Sequence, residues 1–243
     1  MGVDSLLADP TLPSHVPLAR LVDPNMTEAM SETVLVHVLN SHRQIDAYRR
    51  HQTAREWRPM PQPRAQERRV GILGLGELGI DAARKLVALG FDVAGWSRRP
   101  KQLPGIECFS GSNGLNRLLE RTEILVCLLP LTASTRGILN AHTLAILPRG
   151  ATVINLARGG HIIDDDLLDA LGTGQIGYAV LDVFQVEPLP REHSYWCHPR
   201  VTVTPHIAAI TDPRTAVAQV VQNLRLLREG LPLLNLVDRI AGY

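Results

Sequence analysis

Residues 69–89 have the sequence RVGILGLGELGIDAARKLVAL, which contains the clearest structural motif of the chain. The apolar run over 69–73 predicts a buried β-strand, and the spacing of Leu78 and Leu86 predicts a helix directly after it. Between strand and helix lies Gly74-Leu75-Gly76-Glu77-Leu78-Gly79, which is a G-x-G-x-x-G motif. Its first glycine permits a tight turn, its second lets a pyrophosphate approach the backbone, and its third lets helix and strand pack closely.

The position of this motif predicts dinucleotide binding. The first turn of a helix offers free N–H groups and the positive end of the helix dipole to phosphate groups. Glycine turns also occur by chance, but the strand–turn–helix context is the one that this use of the motif requires. The predicted cofactor-binding residues of the loop are Gly74, Gly76, Glu77, Leu78 and Gly79.

The end of the next apolar run, FDVAGW at 91–96, indicates which dinucleotide binds. An NAD site usually has Asp or Glu there to accept from the ribose hydroxyls, whereas this chain has Ser97, Arg98 and Arg99. A hydroxyl and two guanidinium groups suit a 2′-phosphate, which a carboxylate would repel. The sequence therefore predicts NADP (NADPH) rather than NAD. The alternative is that both arginines are solvated surface charges.

Further short apolar runs alternate with helical patterns along the rest of the chain. They are EILVCLLP at 123–130, ATVINLA at 151–157, GYAVLDVF at 177–184 and VTVTP at 201–205. Runs of this kind are typical of parallel strands buried on both faces, so we predict a doubly wound α/β sheet of the Rossmann dinucleotide-binding type. A last helix is predicted over about 212–228.

Three ionisable residues follow three of these strands, at the edge where open α/β sheets bind ligands. They are Arg158, Glu187 and His206. A guanidinium can hold a carboxylate, a histidine can protonate a developing alkoxide, and a carboxylate beside that histidine favours the imidazolium. Their joint occurrence predicts carbonyl reduction, although each residue alone could be a surface or structural residue.

The front of the chain predicts one long helix after a proline-rich segment over 1–24. Asn25 is the expected N-cap with Glu28 three residues on, as in a capping box. Met26, Met30, Val34 and Val38 share one face, and the pattern continues to about Trp57. Residues 58–67 are a proline-punctuated connector.

The composition excludes several classes of protein. The 243 residues carry a formal charge of +1, which gives no indication of a nucleic-acid or anionic-membrane partner. The three cysteines match no zinc or redox spacing and are expected to be buried free thiols of a cytoplasmic protein, since no signal-peptide pattern is present. The acids at 164–166 are expected in the first turn of a helix, and we predict no metal site.

The ordered motifs GLGELG, LLPLT, NLARGG, LDVFQVEPLP and TPHIAAIT resemble those of the D-isomer-specific 2-hydroxyacid dehydrogenase family. The WSRRP turn and the closing VDRIAGY look like its glyoxylate/hydroxypyruvate reductase branch. The resemblance covers essentially the whole chain. It implies an NADPH-dependent reductase of a small 2-keto acid, either glyoxylate or hydroxypyruvate.

The resemblance also implies roles for individual residues. Arg158 would bind the carboxylate and keto oxygen of the substrate, His206 would be the acid/base, and Glu187 would orient it. Gly2 and Val3 would hold the substrate carboxylate through their backbone, and Asp182 would lie near the nicotinamide carboxamide. The remaining residues expected around the cofactor are Leu129, Pro130, Thr132 and Ala157.

In such relatives the segment that looks like MGVDS lies well inside the chain. The resemblance therefore implies that roughly 50–100 residues of a flavodoxin-like substrate domain are missing here. We expect a remnant of that domain with a homodimerising helix over 1–62, an NADP-binding domain over 63–209, and a helix returning to the substrate domain over 210–243. The alternative to an active reductase is a non-catalytic NADP-binding module or an inactive fragment.

Overall fold

A computed structural model describes residues 2–243, so that Met1, the first residue of the predicted MGVDS loop, lies outside the described residues. The strands are β1 (Arg69–Leu73), β2 (Asp92–Ser97), β3 (Glu107–Ser110), β4 (Ile124–Cys127), β5 (Ala151–Asn155), β6 (Ile176–Leu181) and β7 (Val201–Val203). The helices are α1 (Asp4–Leu7), α2 (Pro24–His42), α3 (Ile45–Ala54), α4 (Glu77–Ala88), α5 (Gly111–Arg121), α6 (Ala141–Ile146), α7 (Asp164–Thr173) and α8 (Pro213–Arg228).

The seven strands form one parallel sheet in the order β3-β2-β1-β4-β5-β6-β7. Every residue of β4 and β5 is buried, as expected for strands covered by helices on both faces. The direction of chain progression reverses between β1 and β4, which is where sheets of this type open a crevice for ligands. The predicted doubly wound α/β fold is confirmed.

Two apolar clusters, one on each face of the sheet, hold the helices. One contains Leu118 and Leu119 of α5 with Leu167 and Leu171 of α7. The other contains residues of α2 and α4 with the opposite faces of the strands. The predicted apolar face of α2 is confirmed, because its four members are buried: Met26, Met30, Val34 and Val38.

The predicted start of α2 is wrong by two residues. Asp23 is the N-cap, and its carboxylate accepts a hydrogen bond from the backbone N–H of Asn25 at 3.1 Å. Pro24 occupies the first helical position, where its fixed φ is favourable and its missing N–H costs nothing. Asn25, assigned as the cap from sequence, therefore lies inside the first turn.

The prediction of one helix reaching Trp57 is also wrong. The helix ends at His42, Gln44 adopts a left-handed φ of 57°, and α3 ends at Ala54. The amide of Gln44 donates to the carbonyl of Pro61, which ties the break to the following connector. Apolar spacing continues across this break, so periodicity alone could not reveal it.

Three smaller predictions have mixed outcomes. The strand β3 was missed because its four residues, ECFS, are too short for an apolar pattern. The three acids at 164–166 lie in the first turn of α7, as predicted. The cysteines are all free, but only Cys127 is buried, while Cys108 is half-buried and Cys197 is exposed.

The helix α8 differs from the others because each of its residues is at least partly exposed. Asp23 accepts a hydrogen bond from Thr215 at 2.7 Å, and Gln219 bonds to the backbone of Arg20 and Val22. Five apolar side chains of the helix remain exposed: Val217, Val220, Val221, Leu224 and Leu227. Within residues 2–243, no helix is both long and apolar enough to cross a membrane.

Candidate active site

The glycine-rich loop between β1 and α4 has the geometry that its motif predicted. Gly74 has a φ of +105°, and a Cβ there would lie 2.7 Å from the carbonyl oxygen of Leu128. A Cβ on Gly79 would collide with the carbonyl oxygen of Gly74, so this glycine lets helix and strand approach. Each of these two positions thus requires glycine for a different reason.

The surroundings of Gly76 fit a pyrophosphate. A Cβ built on Gly76 would meet no atom within 4 Å, so there is open space beside the start of α4. Gly76 is the N-cap, and no side chain caps the first turn, which begins with Glu77 and Leu78. The backbone N–H groups of the first turn of α4 are therefore available to the phosphates of a dinucleotide.

Lys101 adds a cation to this loop that sequence reasoning missed. Its Nζ donates to the carbonyl oxygen of Leu75 at 2.6 Å. The run Ser97-Arg98-Arg99-Pro100-Lys101 carries three basic residues within four positions, and this was the available signal. The amino group increases the positive charge beside the space at Gly76.

Of the three residues predicted at the end of β2 to bind the 2′-phosphate, one is buried and two are exposed. The hydroxyl of Ser97 is buried and donates to the carbonyl oxygen of Arg99 at 2.8 Å. Arg98 and Arg99 are exposed. Ser97 therefore shapes the turn, and the guanidinium groups are the accessible charges.

Arg158 lies against the N-terminal segment. Its Nε donates to both carboxylate oxygens of Asp4, at 3.1 and 3.2 Å, and a Cβ on Gly2 would collide with its Nη2. The structure thus brings the predicted pair of Gly2 and Arg158 together. Val3 is buried directly before α1. The role of Asp4 was missed, since 154 positions separate it from Arg158.

The side chains of Asn155 and His161 hold the loop that carries Arg158. Asn155 donates to the carbonyl oxygen of Arg158 at 2.9 Å and accepts from the N–H of Ala157 at 3.2 Å. The ring of His161 lies between the carbonyl oxygens of Arg158 and Pro130, at 3.0 and 3.3 Å. Burial would lower the pKa of His161, but the Cys127 thiol and these carbonyls raise it overall.

Glu187 and His206 form the hydrogen-bonded pair that the sequence predicted. The Nδ1 of His206 lies 2.6 Å from Oε2 of Glu187, while Oε1 accepts from the N–H of Phe184 at 2.9 Å. Burial would raise the pKa of Glu187, but these hydrogen bonds and the charges of His206 and Arg158 lower it overall. The carboxylate is therefore ionised at neutral pH, and the His206 side chain is 48% exposed.

Asp182 holds the backbone around His206. Its buried carboxylate accepts from the Thr204 hydroxyl at 2.6 Å and from the N–H groups of Ile207 and Ala208, both at 2.9 Å. The backbone N–H of His206 donates to the carbonyl oxygen of Asp182 at 2.8 Å, and His206 has a φ of +54°. Both carboxylate oxygens thus bond to the segment 204–208 around His206, and the predicted contact with the nicotinamide stays a prediction.

The other predicted cofactor residues lie on the loops after β4 and β5. The side chains of Leu129 and Ala157 are buried, whereas Pro130 and Thr132 are partly exposed. A cavity of about 420 Å³ separates α1 from the loop around Thr132. Among residues 2–243, no three His, Cys, Asp or Glu side chains are grouped to hold a metal ion.

Comparison with known proteins identifies the family. The profile of the "D-isomer specific 2-hydroxyacid dehydrogenase, NAD binding domain" matches residues 35–208. A curated relative from Serratia proteamaculans, glyoxylate/hydroxypyruvate reductase A, is 46% identical over all of this chain and 79% of its own length. The chain belongs to the D-isomer specific 2-hydroxyacid dehydrogenase family. The predicted dinucleotide-dependent dehydrogenase is thereby confirmed.

Solved structures of D-2-hydroxyacid dehydrogenases share this fold closely. One from Xanthobacter autotrophicus Py2, in complex with NADPH and MES, has a TM-score of 0.97 and 49% identity, with 100% of both chains covered. An NADPH-dependent glyoxylate/hydroxypyruvate reductase from Sinorhizobium meliloti, in complex with NADP and sulfate, has a TM-score of 0.95 and 46% identity. That match covers 100% of this chain and 78% of the other.

Proposed function

We propose that this chain uses NADPH to reduce glyoxylate to glycolate and hydroxypyruvate to D-glycerate. The observation that carries the proposal is the His206–Glu187 pair at 2.6 Å, at the same sheet edge as Arg158 and the glycine-rich loop. The relatives that are named as reductases of these two keto acids support the choice of substrate.

The roles follow from the chemistry of each group. Arg158 binds the substrate carboxylate and polarises the keto oxygen, assisted by the backbone of Gly2 and Val3. Glu187 accepts from Nδ1 of His206, so that Nε2 is the atom that delivers the proton to the keto oxygen. Asp4 holds Nε of Arg158 and thereby fixes the direction of the guanidinium.

NADPH supplies the hydride when it is bound. We propose that Gly74, Gly76, Glu77, Leu78 and Gly79 hold its pyrophosphate, and that Ser97, Arg98 and Arg99 form the site of its 2′-phosphate. The remaining contacts are assigned to the residues of three loops: Leu129, Pro130, Thr132, Ala157 and Asp182. The relatives described with NADPH or NADP support this cofactor over NAD.

We further propose that the chain works in the cytoplasm as a homodimer through the region of α2 and α3. Exposed apolar residues along this region support it: Val36, Leu39, Ile45 and Trp57. A monomeric mass at working concentrations would contradict it. The division into 1–62, 63–209 and 210–243 belongs to the same proposal, with α8 as the helix that returns to the substrate domain.

The first test is the loss of NADPH absorbance in the presence of this 243-residue chain and either glyoxylate or hydroxypyruvate, with NADH in parallel. Turnover with either acid would support the reductase. NADPH binding without turnover would favour the alternative of a non-catalytic binding module. That alternative draws its support from the exposed apolar side chains of α8, which have no cover among the described residues.

A further inference from the structure

The last six residues, 238–243, form a compact turn that we call the C-terminal strap. The carboxylate of Asp238 accepts from the N–H groups of Ile240 and Ala241, at 3.0 and 2.9 Å. The N–H of Gly242 donates to the Asp238 carbonyl at 2.8 Å. These bonds give the end of the chain a defined shape.

The strap is anchored to the front of the chain. Residues 235–237 pair with residues 18–20 through an antiparallel bridge between Ala19 and Leu236, and we call this pairing the terminal clasp. The guanidinium of Arg239 donates to the carbonyl oxygens of Pro13 and Val16, at 3.0 and 2.7 Å. The strap is therefore held from the substrate-domain side.

The other side of the strap reaches two loops of the NADP-binding domain. A Cβ on Gly242 would lie 3.2 Å from Cγ2 of Thr132, and the ring of Tyr243 lies 4.9 Å from Cζ of Arg98. Thr132 follows β4 and Arg98 follows β2, while β1 lies between these two strands. The strap thus crosses the carboxyl edge of the sheet at β1, where the glycine-rich loop lies.

The contact with Tyr243 suits Arg98 for binding a phosphate. A guanidinium stacks on an aromatic ring through its face, which leaves the N–H groups on its edge for an anion. Arg98 is exposed, so without the ring it would lose more side-chain freedom on binding. The pKa of Asp238 is lowered, first by the Ala241 N–H and further by the charges of Arg98 and Arg99.

We propose that the C-terminal strap covers the mouth of the dinucleotide site and that Tyr243 is a specificity-determining residue, which positions Arg98 for the 2′-phosphate of NADPH. This inference rests on the proposed function of Arg98. Tyr243 is a positioning residue, because it acts on the phosphate through Arg98 and does not contact the phosphate itself.

The test is equilibrium binding, followed by fluorescence for NADPH and NADH and by calorimetry for adenosine 2′,5′-bisphosphate and 5′-AMP. Tyr243→Ala is expected to raise the Kd of both 2′-phosphorylated ligands roughly 3- to 10-fold, the range of one cation–π contact. The Kd values of NADH and 5′-AMP should stay within about twofold. Tyr243→Phe keeps the ring and should bind as the original chain does.

Ile240→Ala is the matched control. This side chain of the strap is fully exposed, so its removal should leave the Kd values of all four ligands unchanged. Equal weakening of phosphorylated and unphosphorylated ligands by Tyr243→Ala would overturn the inference, as would tighter NADPH binding. If Arg98→Gln abolishes the preference for NADPH while Tyr243→Ala leaves it intact, only the role of Tyr243 fails. If the original chain shows no preference, the phosphate role of Arg98 fails first.

Discussion

The two halves of the carboxyl edge are built differently. On the side of β5, β6 and β7, buried groups hold the loops that carry Arg158 and His206, and the carboxylate of Asp182 alone accepts three hydrogen bonds. On the side of β2, Arg98 and Arg99 are exposed, and Arg98 lies against the ring of Tyr243.

This difference matches the two tasks that we propose for the edge. The proposed proton transfer requires His206 at a fixed position, which a loop that is preorganised before a ligand arrives provides. Recognition of a phosphate by charge tolerates a more mobile guanidinium, whose order can come from the ligand and from one stacked ring. We expect substitutions on the catalytic side to change rate and stability, and substitutions on the arginine side to change cofactor preference.

The largest effect is expected from His206→Ala. Loss of the proton donor should lower kcat by about 10²- to 10⁴-fold, with NADPH binding nearly unchanged. His142→Ala, at an exposed histidine of α6, is the control and should retain full activity. An unchanged kcat in His206→Ala would remove this residue from the mechanism.

The second effect concerns Asp182→Asn. The amide would present N–H groups to donors that now bond to a carboxylate, which should lower the free energy of unfolding by about 2–4 kcal/mol. Because the His206 loop loses its anchor, kcat should fall as well. Urea unfolding measures the first quantity. Thr204→Val removes one of the three bonds and should cost only about 1 kcal/mol, so an equal cost for both variants would contradict this account.

The third effect is expected on the arginine side, from Arg98→Asp. Replacing a cation by an anion next to the 2′-phosphate should raise the Kd of NADPH at least about tenfold, while the Kd of NADH changes much less. Arg84→Asp makes the same charge change on the exposed side of α4 and serves as the control. A similar loss of NADPH and NADH affinity in Arg98→Asp would refute the phosphate role.

The smallest effect is the pH dependence of stability in Glu187→Gln. The pKa of Glu187 is lowered in the folded chain, so its carboxylate stabilises the fold above the unfolded-state pKa. That stabilisation is lost as the pH falls through the folded-state pKa. The Tm difference between the original chain and Glu187→Gln should therefore be present near pH 7 and shrink below about pH 4.3. A difference that is independent of pH would contradict a stabilising Glu187 carboxylate.

Local patterns predicted the sheet and most of the site. The glycine-rich loop, six of the seven strands, and the pairing of Glu187 with His206 were all readable, because each depends on a motif or on strand ends that meet at one edge. The helix cap was misplaced because Asp23 and Asn25 are both good caps, and only Pro24 distinguishes them.

The parts that sequence could not predict join distant segments. Asp4 pairs with Arg158 over 154 positions, and the Arg98–Tyr243 contact joins the second strand to the last residue. No local pattern marks such partners. The left-handed Gln44 was missed for a different reason, since a non-glycine residue at positive φ leaves no mark on apolar periodicity.

The contact of Arg239 with the front of the chain has a consequence for the order in which the structure forms. Arg239 and Pro13 are 226 positions apart, so their contact closes nearly the whole chain into a ring, whereas neighbouring strands of the sheet are joined by much shorter connections. Closing so long a loop has a greater entropic cost, so we expect this contact to form late in folding. During synthesis the entire seven-stranded sheet precedes the strap, and Arg98 meets its aromatic partner only after Tyr243 has been added.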